Sequence, residues 1–536
     1  MSLATMMDVP LTIDLVLDRA ESWNGNVEIV SRRPDKSLHR TTYKTVCDRA
    51  RKLARALVRL GVGKGDRVAT LMWNHAEHLE CYFGIPLAGG VTHTLNLRLH
   101  PDEIAYIAND ARDRFLIVDD VLLPLYEKVV AAGAKFEKVF VVGKTGELES
   151  YEELLASGAE RAIQLPALAE LDALGTCYTS GTTGKPKGVI YTHRSTILHT
   201  LVAALPDSLQ LSRTDTLLPV VPMFHVNAWG LPFVAALVGV RLVFPGPHLD
   251  PPSLLDLLAE ERVTVSAGVP TIWLGIREAL DGAPGKWELQ KGLRMIVGGS
   301  AAPEQLIRDF DRLGMTLLHA WGMTETSPVG LVSRLPPHLE RGDEATRYRL
   351  RAKQGVPPPL VDVRVRNWQG DVPHDDKTNG ELLVRGPWVA SRYANNETPD
   401  RWTKDGWFRT GDVARVDEHG FVQLTDRVAD MIKSGGEWIA SQELENTLMG
   451  HPAVKEAAVI GVPHPKWSER PLAVVVLKPG QTATADQLRD HLAPKFPKFW
   501  LPDAVELIDA IPRTSAGKFK KTELRETYKD RYAKAD

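Results

Sequence analysis

Residues 293–321 constrain the fold more tightly than any other stretch of the chain. Residues 293–297 form a short apolar run of β type, and Gly298-Gly299-Ser300 turns the chain. Pro303 and Glu304 follow where a first helical turn favours them. The helix is expected to run to about Leu313, with Gly314 as terminator, and residues 315–321 read as a second strand. A β-α-β crossover makes its two strands parallel and close, with their carboxyl ends on one sheet edge. α/β proteins bind ligands at that edge, so residues 298–302 and 321–325 should line one site.

The same alternation extends along most of the chain. Residues 67–72 and 115–118 and Lys138–Val142 read as strands. Residues 43–60 carry helical spacing, with Val46, Ala50, Leu53, Leu57 and Leu60 on one face. The fold class expected is α/β: a large multi-sheet N-terminal domain of βαβ sheets plus a small β subdomain, followed by a small mobile α+β domain. The β subdomain is read from 361–365 and 380–384. The last domain is read from strands at 454–460 and 472–477 and a helix at Ala485–Leu492. The expected division is 1–425, a hinge at 426–431, and 432–536. At roughly 150 residues per compact unit, 536 residues accommodate this size.

Composition excludes other classes. With 43% hydrophobic and 25% charged residues the chain is neither disordered nor fibrous. A net charge of -3 gives no support to nucleic-acid binding. Cys47, Cys81 and Cys177 are too scattered for a disulfide framework, so a reducing cytoplasm is expected. The N-terminus has no export signal, and the longest apolar stretch, 228–240, is too short to span a membrane and holds Gly230, Pro232 and Gly239.

Chemistry concentrates in a few segments. Thr179, Ser180, Gly181, Thr182, Thr183, Gly184, Lys185, Pro186 and Lys187 put hydroxyls and glycines ahead of two lysines. Glycines let backbone N–H groups turn inward as an anion nest, hydroxyls add donors and lysines add charge, which suits a polyphosphate. Such a composition also serves flexible linkers, but apolar strand-like runs bracket this one. It is not a Walker A loop: Pro186 follows Lys185, Thr179 stands where the first glycine belongs, and a strand follows rather than a helix.

This loop resembles the signature loop of the adenylate-forming superfamily: acyl-CoA synthetases, luciferases and peptide-synthetase adenylation domains. Five further segments match the family pattern in order. In Trp321-Gly322-Met323-Thr324-Glu325 the resemblance implies adenine stacking by Trp321, phosphate contact by Thr324 and Mg²⁺ at Glu325, with Thr179 as a second metal contact. An aromatic face suits a purine and a carboxylate suits a hard cation. Tyrosine is usual at Trp321, so a hydroxyl contact is expected to be lost. Asp412, closing the run from Trp407, would accept the ribose hydroxyls, and Gly299, Ser300, Ala301, His319, Ala320 and Gly322 would complete the nucleotide site.

Arg427, in Asp426-Arg427-Val428-Ala429-Asp430, would reach the nucleotide. Ala429 stands at the hinge position where relatives carry Asp or Lys. Lys433 and Trp438 match further nucleotide contacts, and Gly436 would let pantetheine pass. Lys518 would bridge carboxylate and α-phosphate. Residues 511–534 hold eight Lys/Arg against three acids, an excess that suits coenzyme A phosphates or plain surface.

His225, in the segment 222–229, stands where amino-acid-activating relatives place Asp, so it would lie near the carboxylate of a different acid. Trp229 matches a gate to an acyl tunnel, and Val269, Gly298, Gly299 and Met323 would line it. Each residue has a plainer alternative: His225 or Trp229 as core, Glu325 at a helix start, Asp412 and the 435–436 glycine pair in turns, Lys518 on solvated surface. The resemblance implies ATP, Mg²⁺ and coenzyme A, a fatty acid of medium or long chain, and a homodimer. A short-acid ligase such as one for 3-methylthiopropionate, a luciferase-like adenylating oxygenase and a non-catalytic nucleotide binder stay open.

Overall fold

The computed structural model describes residues 5–179, 185–395, 398–434, 437–513 and 519–533, with Glu437 described by its backbone alone. Ser180, Gly181, Thr182, Thr183, Gly184, Gly436 and Lys518 lie outside the described residues. The architecture is α/β, as expected, with four sheets.

An eight-stranded sheet carries the unit read first from sequence. Strand Arg294–Val297, helix Glu304–Arg312 and strand Thr316–Gly322 follow one another, and the strands pair in parallel with Arg294 opposite Thr316 and Val297 opposite His319. Outward from Arg294–Val297, parallel pairing continues through Val265–Gly268, Thr216–Pro219, Arg241–Phe244 and Glu28–Arg32. Antiparallel strands close both edges, Val329–Val332 against Thr316–Gly322 and Leu38–Thr42 against Glu28–Arg32. A seven-stranded sheet repeats the pattern, with parallel strands Lys138–Val142, Asp113–Asp119, Arg67–Leu71, Val91–Thr94 and Ala173–Tyr178, and Gly188–Thr192 antiparallel at one edge.

The largest core lies among helices Ile13–Asn24, Tyr43–Arg59, Ala76–Leu87 and Leu231–Val238 and faces of both sheets. Helix Ala76–Leu87 is buried on every side, and its acidic side chains are accordingly paired. Glu80 Oε1 accepts from Arg49 Nε at 2.6 Å and Glu80 Oε2 from the Tyr151 hydroxyl at 2.8 Å.

An antiparallel sheet holds Asp362–Asn367, Gly380–Arg385, Phe408–Val416 and Val422–Arg427. It is fixed to the preceding segment by Lys353, whose buried ammonium lies 2.7 Å from both Asp376 and Asp417. The fourth sheet comes from the last hundred or so residues, with Val454–His464 against Ser468–Leu477 as its long central pair. Among the described residues no helix is long and apolar enough to cross a membrane.

Candidate active site

Four neighbouring parallel strands of the first sheet end on one edge. The segments that leave this edge carry His225 to Trp229, Val269, Gly298 to Ala301, and Trp321 to Glu325, after strands Thr216–Pro219, Val265–Gly268, Arg294–Val297 and Thr316–Gly322 respectively. Residues far apart in sequence thus meet because their strands are adjacent. A Cβ at Gly298 would come within 3.1 Å of Trp229 Cη2 and 3.2 Å of the Ala320 carbonyl, so glycine there lets the indole lie on the backbone. A Cβ at Gly299 would meet Val269 Cγ1 at 3.2 Å. Trp229, Val269, Gly298, Gly299 and Ala320 therefore share one wall. Met323 follows at the end of Thr316–Gly322, and its N–H is held by Thr326 Oγ1 at 3.0 Å.

Asp412 joins this edge to the antiparallel sheet. The carboxylate is nearly fully buried. Its Oδ2 accepts from the Trp321 indole Nε1 at 3.1 Å, and its Oδ1 lies 2.7 Å from Arg427 Nε. Asp412 and Arg427 are also register partners across Phe408–Val416 and Val422–Arg427. The charge of Asp412 raises the already high pKa of Arg427 further. The sequence reading gave Trp321 a face and no polar contact; its indole N–H supplies one. A Cβ at Gly330 would be 2.6 Å from Trp321 Cζ3, so a glycine backbone supports one side of the ring.

The run from Trp407 to Asp412 has a local logic. Trp407 is buried between the guanidiniums of Arg364 and Arg385, 4.3 and 4.5 Å from the ring centroid. Thr410 Oγ1 donates to the Leu382 carbonyl at 2.8 Å and accepts from Asp412 N at 3.0 Å, fixing the carboxylate-bearing residue.

Glu325 and the loop legs form a second focus. Thr324 and Glu325 are buried in one short 3₁₀ turn, Thr324–Thr326. Glu325 Oε1 accepts from the Tyr393 hydroxyl at 2.6 Å, and the Thr324 carbonyl accepts from the Tyr191 hydroxyl at 2.9 Å. Lys187 Nζ lies 5.4 Å from the Tyr393 ring centroid. Thr179 N donates to the Lys187 carbonyl at 2.9 Å, and Lys187 N donates to Thr179 Oγ1 at 3.1 Å, closing the loop as a hairpin between antiparallel strands. Tyr191, Tyr393 and Gly330 belong to the site without having been singled out in the sequence. Tyr393 falls in no motif, and Tyr191 reads there only as part of a strand.

His319 is buried, and its Nδ1 lies 3.0 Å from the Ala352 carbonyl. Burial lowers its pKa to about 4. Lys433 and Trp438 are paired across a hairpin, with Lys433 Nζ 5.8 Å from the indole centroid. Among the described residues no hydrogen bond or ion pair joins either of them to Asp412 or Glu325. His225 is partly buried at the N-cap of the turn that carries Trp229.

Residues 17–394 match the family model described as AMP-binding enzyme, and residues 443–518 match AMP-binding enzyme C-terminal domain. The chain belongs to the AMP-binding enzyme family. It is 50% identical to a long-chain-fatty-acid–CoA ligase of Thermus thermophilus, covering 99% of this chain and 98% of that one. It is 42% identical to a 3-methylmercaptopropionyl-CoA ligase of Ruegeria pomeroyi, covering 98% and 99%. Among solved structures, ATP-bound MatB from Rhodopseudomonas palustris superposes with a TM-score of 0.81 at 27% identity, covering 98% of this chain and 100% of that one.

The depressed pKa of His319 makes a pH prediction for this AMP-binding enzyme. The folded state holds the ring neutral while the unfolded chain protonates it near pH 6.5, so the unfolded state binds more protons between those values. The stability contribution is complete above about pH 6.5 and is lost as pH falls towards 4, roughly 3 kcal/mol in all. Urea denaturation of His319→Asn across this range should show a shallower loss than the parent, by about one proton. Equal slopes would refute the assignment.

Proposed function

We propose that this enzyme is an ATP-dependent ligase that activates a medium- or long-chain fatty acid as acyl-AMP and transfers the acyl group to coenzyme A. The observation that carries the reading is the convergence of Trp321 and Arg427, from two separate motifs, on the buried carboxylate of Asp412, from a third. An ionised carboxylate offers about four lone-pair positions. Trp321 and Arg427 use one on each oxygen, which leaves one on each for the two ribose hydroxyls. The open face of Trp321 takes adenine, and Thr179 to Lys187 with Thr324 take the phosphates.

The residues fit Mg²⁺ carried in by ATP. Among the described residues no group of three or more His, Cys, Asp or Glu could cage a metal. Mg²⁺ characteristically uses one or two carboxylates plus substrate phosphates, and Glu325, with Oε1 fixed by Tyr393, would supply the carboxylate, with Thr179 as a second contact. The ion, when bound, neutralises charge that builds on the phosphates.

In the first half-reaction the fatty acid carboxylate attacks the α-phosphorus of ATP. The new C–O–P bond forms as the bond to the β-phosphate oxygen breaks, and pyrophosphate leaves. Lys518 bridges carboxylate and α-phosphate and stabilises the charge on the transferring oxygens. His225 stands at the carboxylate end, and the alkyl chain runs along Trp229, Val269, Gly298, Gly299 and Met323. The unit at 432–536 then turns about 426–431, withdrawing Lys518 and bringing Gly436 to the thiol path. Lys433 and Trp438 travel with it as nucleotide contacts. The coenzyme A thiol gives up its proton and attacks the acyl carbon, and AMP leaves. A cytoplasmic homodimer belongs to the same proposal. The free, buried cysteines suit a reducing compartment.

Lys518→Ala should nearly abolish acyl-AMP formation in ATP–pyrophosphate exchange but spare thioester formation from supplied acyl-AMP. Equal losses in both steps would remove the bridging role. Trp321→Phe keeps an aromatic face but deletes the bond to Asp412, and should raise the ATP KM roughly two- to tenfold, the range for one hydrogen bond. An unchanged KM contradicts the ribose site as drawn. A ladder of acids tests the acyl wall: Trp229→Ala should shift the preferred chain length. A parent that turns over only short thioether acids would place it instead with the Ruegeria relative.

A further inference from the structure

We infer that Asn227 is a positioning residue that fixes Trp229 at its place on the acyl wall by holding residues 226–229 in a left-handed turn. The inference rests on the acyl-wall reading above. Val226, Asn227, Ala228 and Trp229 have φ of 44°, 50°, 49° and 59°, and Gly230 continues at 73°. L-residues visit this region singly, and mostly as Asn or Asp, while a β-branched residue there is an outlier. Asn227 is the one side chain among the four suited to the conformation.

Its surroundings supply the rest. The Asn227 side chain is buried, and its Oδ1 accepts from Cys177 Sγ at 3.3 Å. Cys177 stands on strand Ala173–Tyr178, two residues before Thr179. Thr94 Oγ1 lies 3.4 Å from the same sulfur and donates to the Phe224 carbonyl at 3.4 Å. Upstream, Asn74 Nδ2 donates to the carbonyls of Pro219 and Val221 at 2.9 and 3.0 Å, and Asn74 Oδ1 accepts from Met223 N at 2.7 Å. The Tyr82 hydroxyl donates to the Met223 carbonyl. Downstream, helix Leu231–Val238 is buried over its first six residues. Both ends of the segment are thereby fixed, and the handedness between them decides where the Trp229 indole points.

The space behind the turn is small. A void of about 10 Å³ lies there, among Tyr191, Thr196, His199, Val226, Asn227 and Gly230. It is about the room one water molecule occupies. Replacing the residue that favours the left-handed turn lets the backbone leave it, and carries Trp229 away from Gly298.

The test uses the full-length enzyme, ATP–pyrophosphate exchange and the same ladder of acids. Asn227→Val should change the ratio of kcat/KM for long against short acids roughly two- to tenfold, in the sense of Trp229→Ala, with the ATP KM unchanged. Cys177→Ala should move the ratio in the same sense, and Cys177→Ser, which retains a donor, should restore the parent profile. If Trp229→Ala moves the ratio while Asn227→Val and Cys177→Ala leave it alone, the inference is overturned and the acyl wall stands. If Trp229→Ala leaves the ratio alone, the acyl wall falls and the inference with it. Should Asn227→Val fail to fold, the two Cys177 variants decide.

Discussion

The parallel pairing of Arg294–Val297 with its neighbours is the constraint on which the rest of the site depends. Parallel strands cannot be joined by tight turns; each returns through a crossover, so the chain leaves every strand at the same edge. That rule puts the segments after Thr216–Pro219, Val265–Gly268, Arg294–Val297 and Thr316–Gly322 side by side, although more than a hundred residues separate the first from the last. At that edge, glycines at 298 and 299 let Trp229 and Val269 pack directly against the backbone. The antiparallel pair Ala173–Tyr178 and Gly188–Thr192 and the Asp412 strand come from other sheets. Their contacts to this edge run through a few side chains: Trp321 to Asp412, Tyr191 to Thr324, and Tyr393 to Glu325.

Strand geometry also explains how neighbouring residues reach both the proposed nucleotide site and the proposed hinge. Successive side chains on a strand point to opposite faces, so Asp426 and Arg427 look in opposite directions. Arg427 faces Asp412. Asp426 accepts from the Ser441 hydroxyl at 2.7 Å, in the part that follows the hinge, and burial raises its pKa. Around it Lys521 lies 2.7 Å from Glu445 and donates to Ser441 Oγ at 2.6 Å, and burial raises the Glu445 pKa to about 7. Asp430, on the other side of Ala429, pairs with Arg525. In the proposed rotation about Ala429, Arg427 would stay on the Asp412 carboxylate and Asp430 with Arg525. That proposed motion would part Asp426 from Ser441, and Arg415 from Glu443, which lie 3.0 Å apart. If Ala429 is the pivot, as proposed, these bonds on either side of it are the groups that would set the equilibrium of the rotation.

The sequence carried what is local or periodic. The crossover at 293–321 with its parallel strands, the strands on either side of the loop after Tyr178, and the separate β sheet around Asp362–Asn367 were legible. Apolar spacing and turn residues report on exactly such features. Edge strands Leu38–Thr42 and Val329–Val332 were not singled out, since their antiparallel partners are set by tertiary packing. Tyr393 approaches Glu325 from 68 residues away, and no local pattern encodes that meeting. The Trp321 to Asp412 bond escaped for a different reason. The resemblance pointed to the hydroxyl that tryptophan lacks, whereas the indole N–H reaches the carboxylate from another direction.

The left-handed turn at 226–229 was illegible for the most physical reason, because its residues do not favour it. Three of its four side chains pay roughly 1–2 kcal/mol each to adopt it, against a net stability of about 5–15 kcal/mol for a typical domain. Such a cost persists only where the surroundings over-determine the conformation, and here Asn74, Tyr82 and Thr94 fasten the residues leading into the turn while Cys177 holds Asn227 itself, through bonds worth about 0.5–1.5 kcal/mol each. Fixing a flat aromatic ring against Gly298 needs neither strain nor four polar anchors if burial is the only demand, because a right-handed turn buries tryptophan as well. The expense becomes intelligible if the ring must occupy one position and no other, at the place where an acyl chain would meet it.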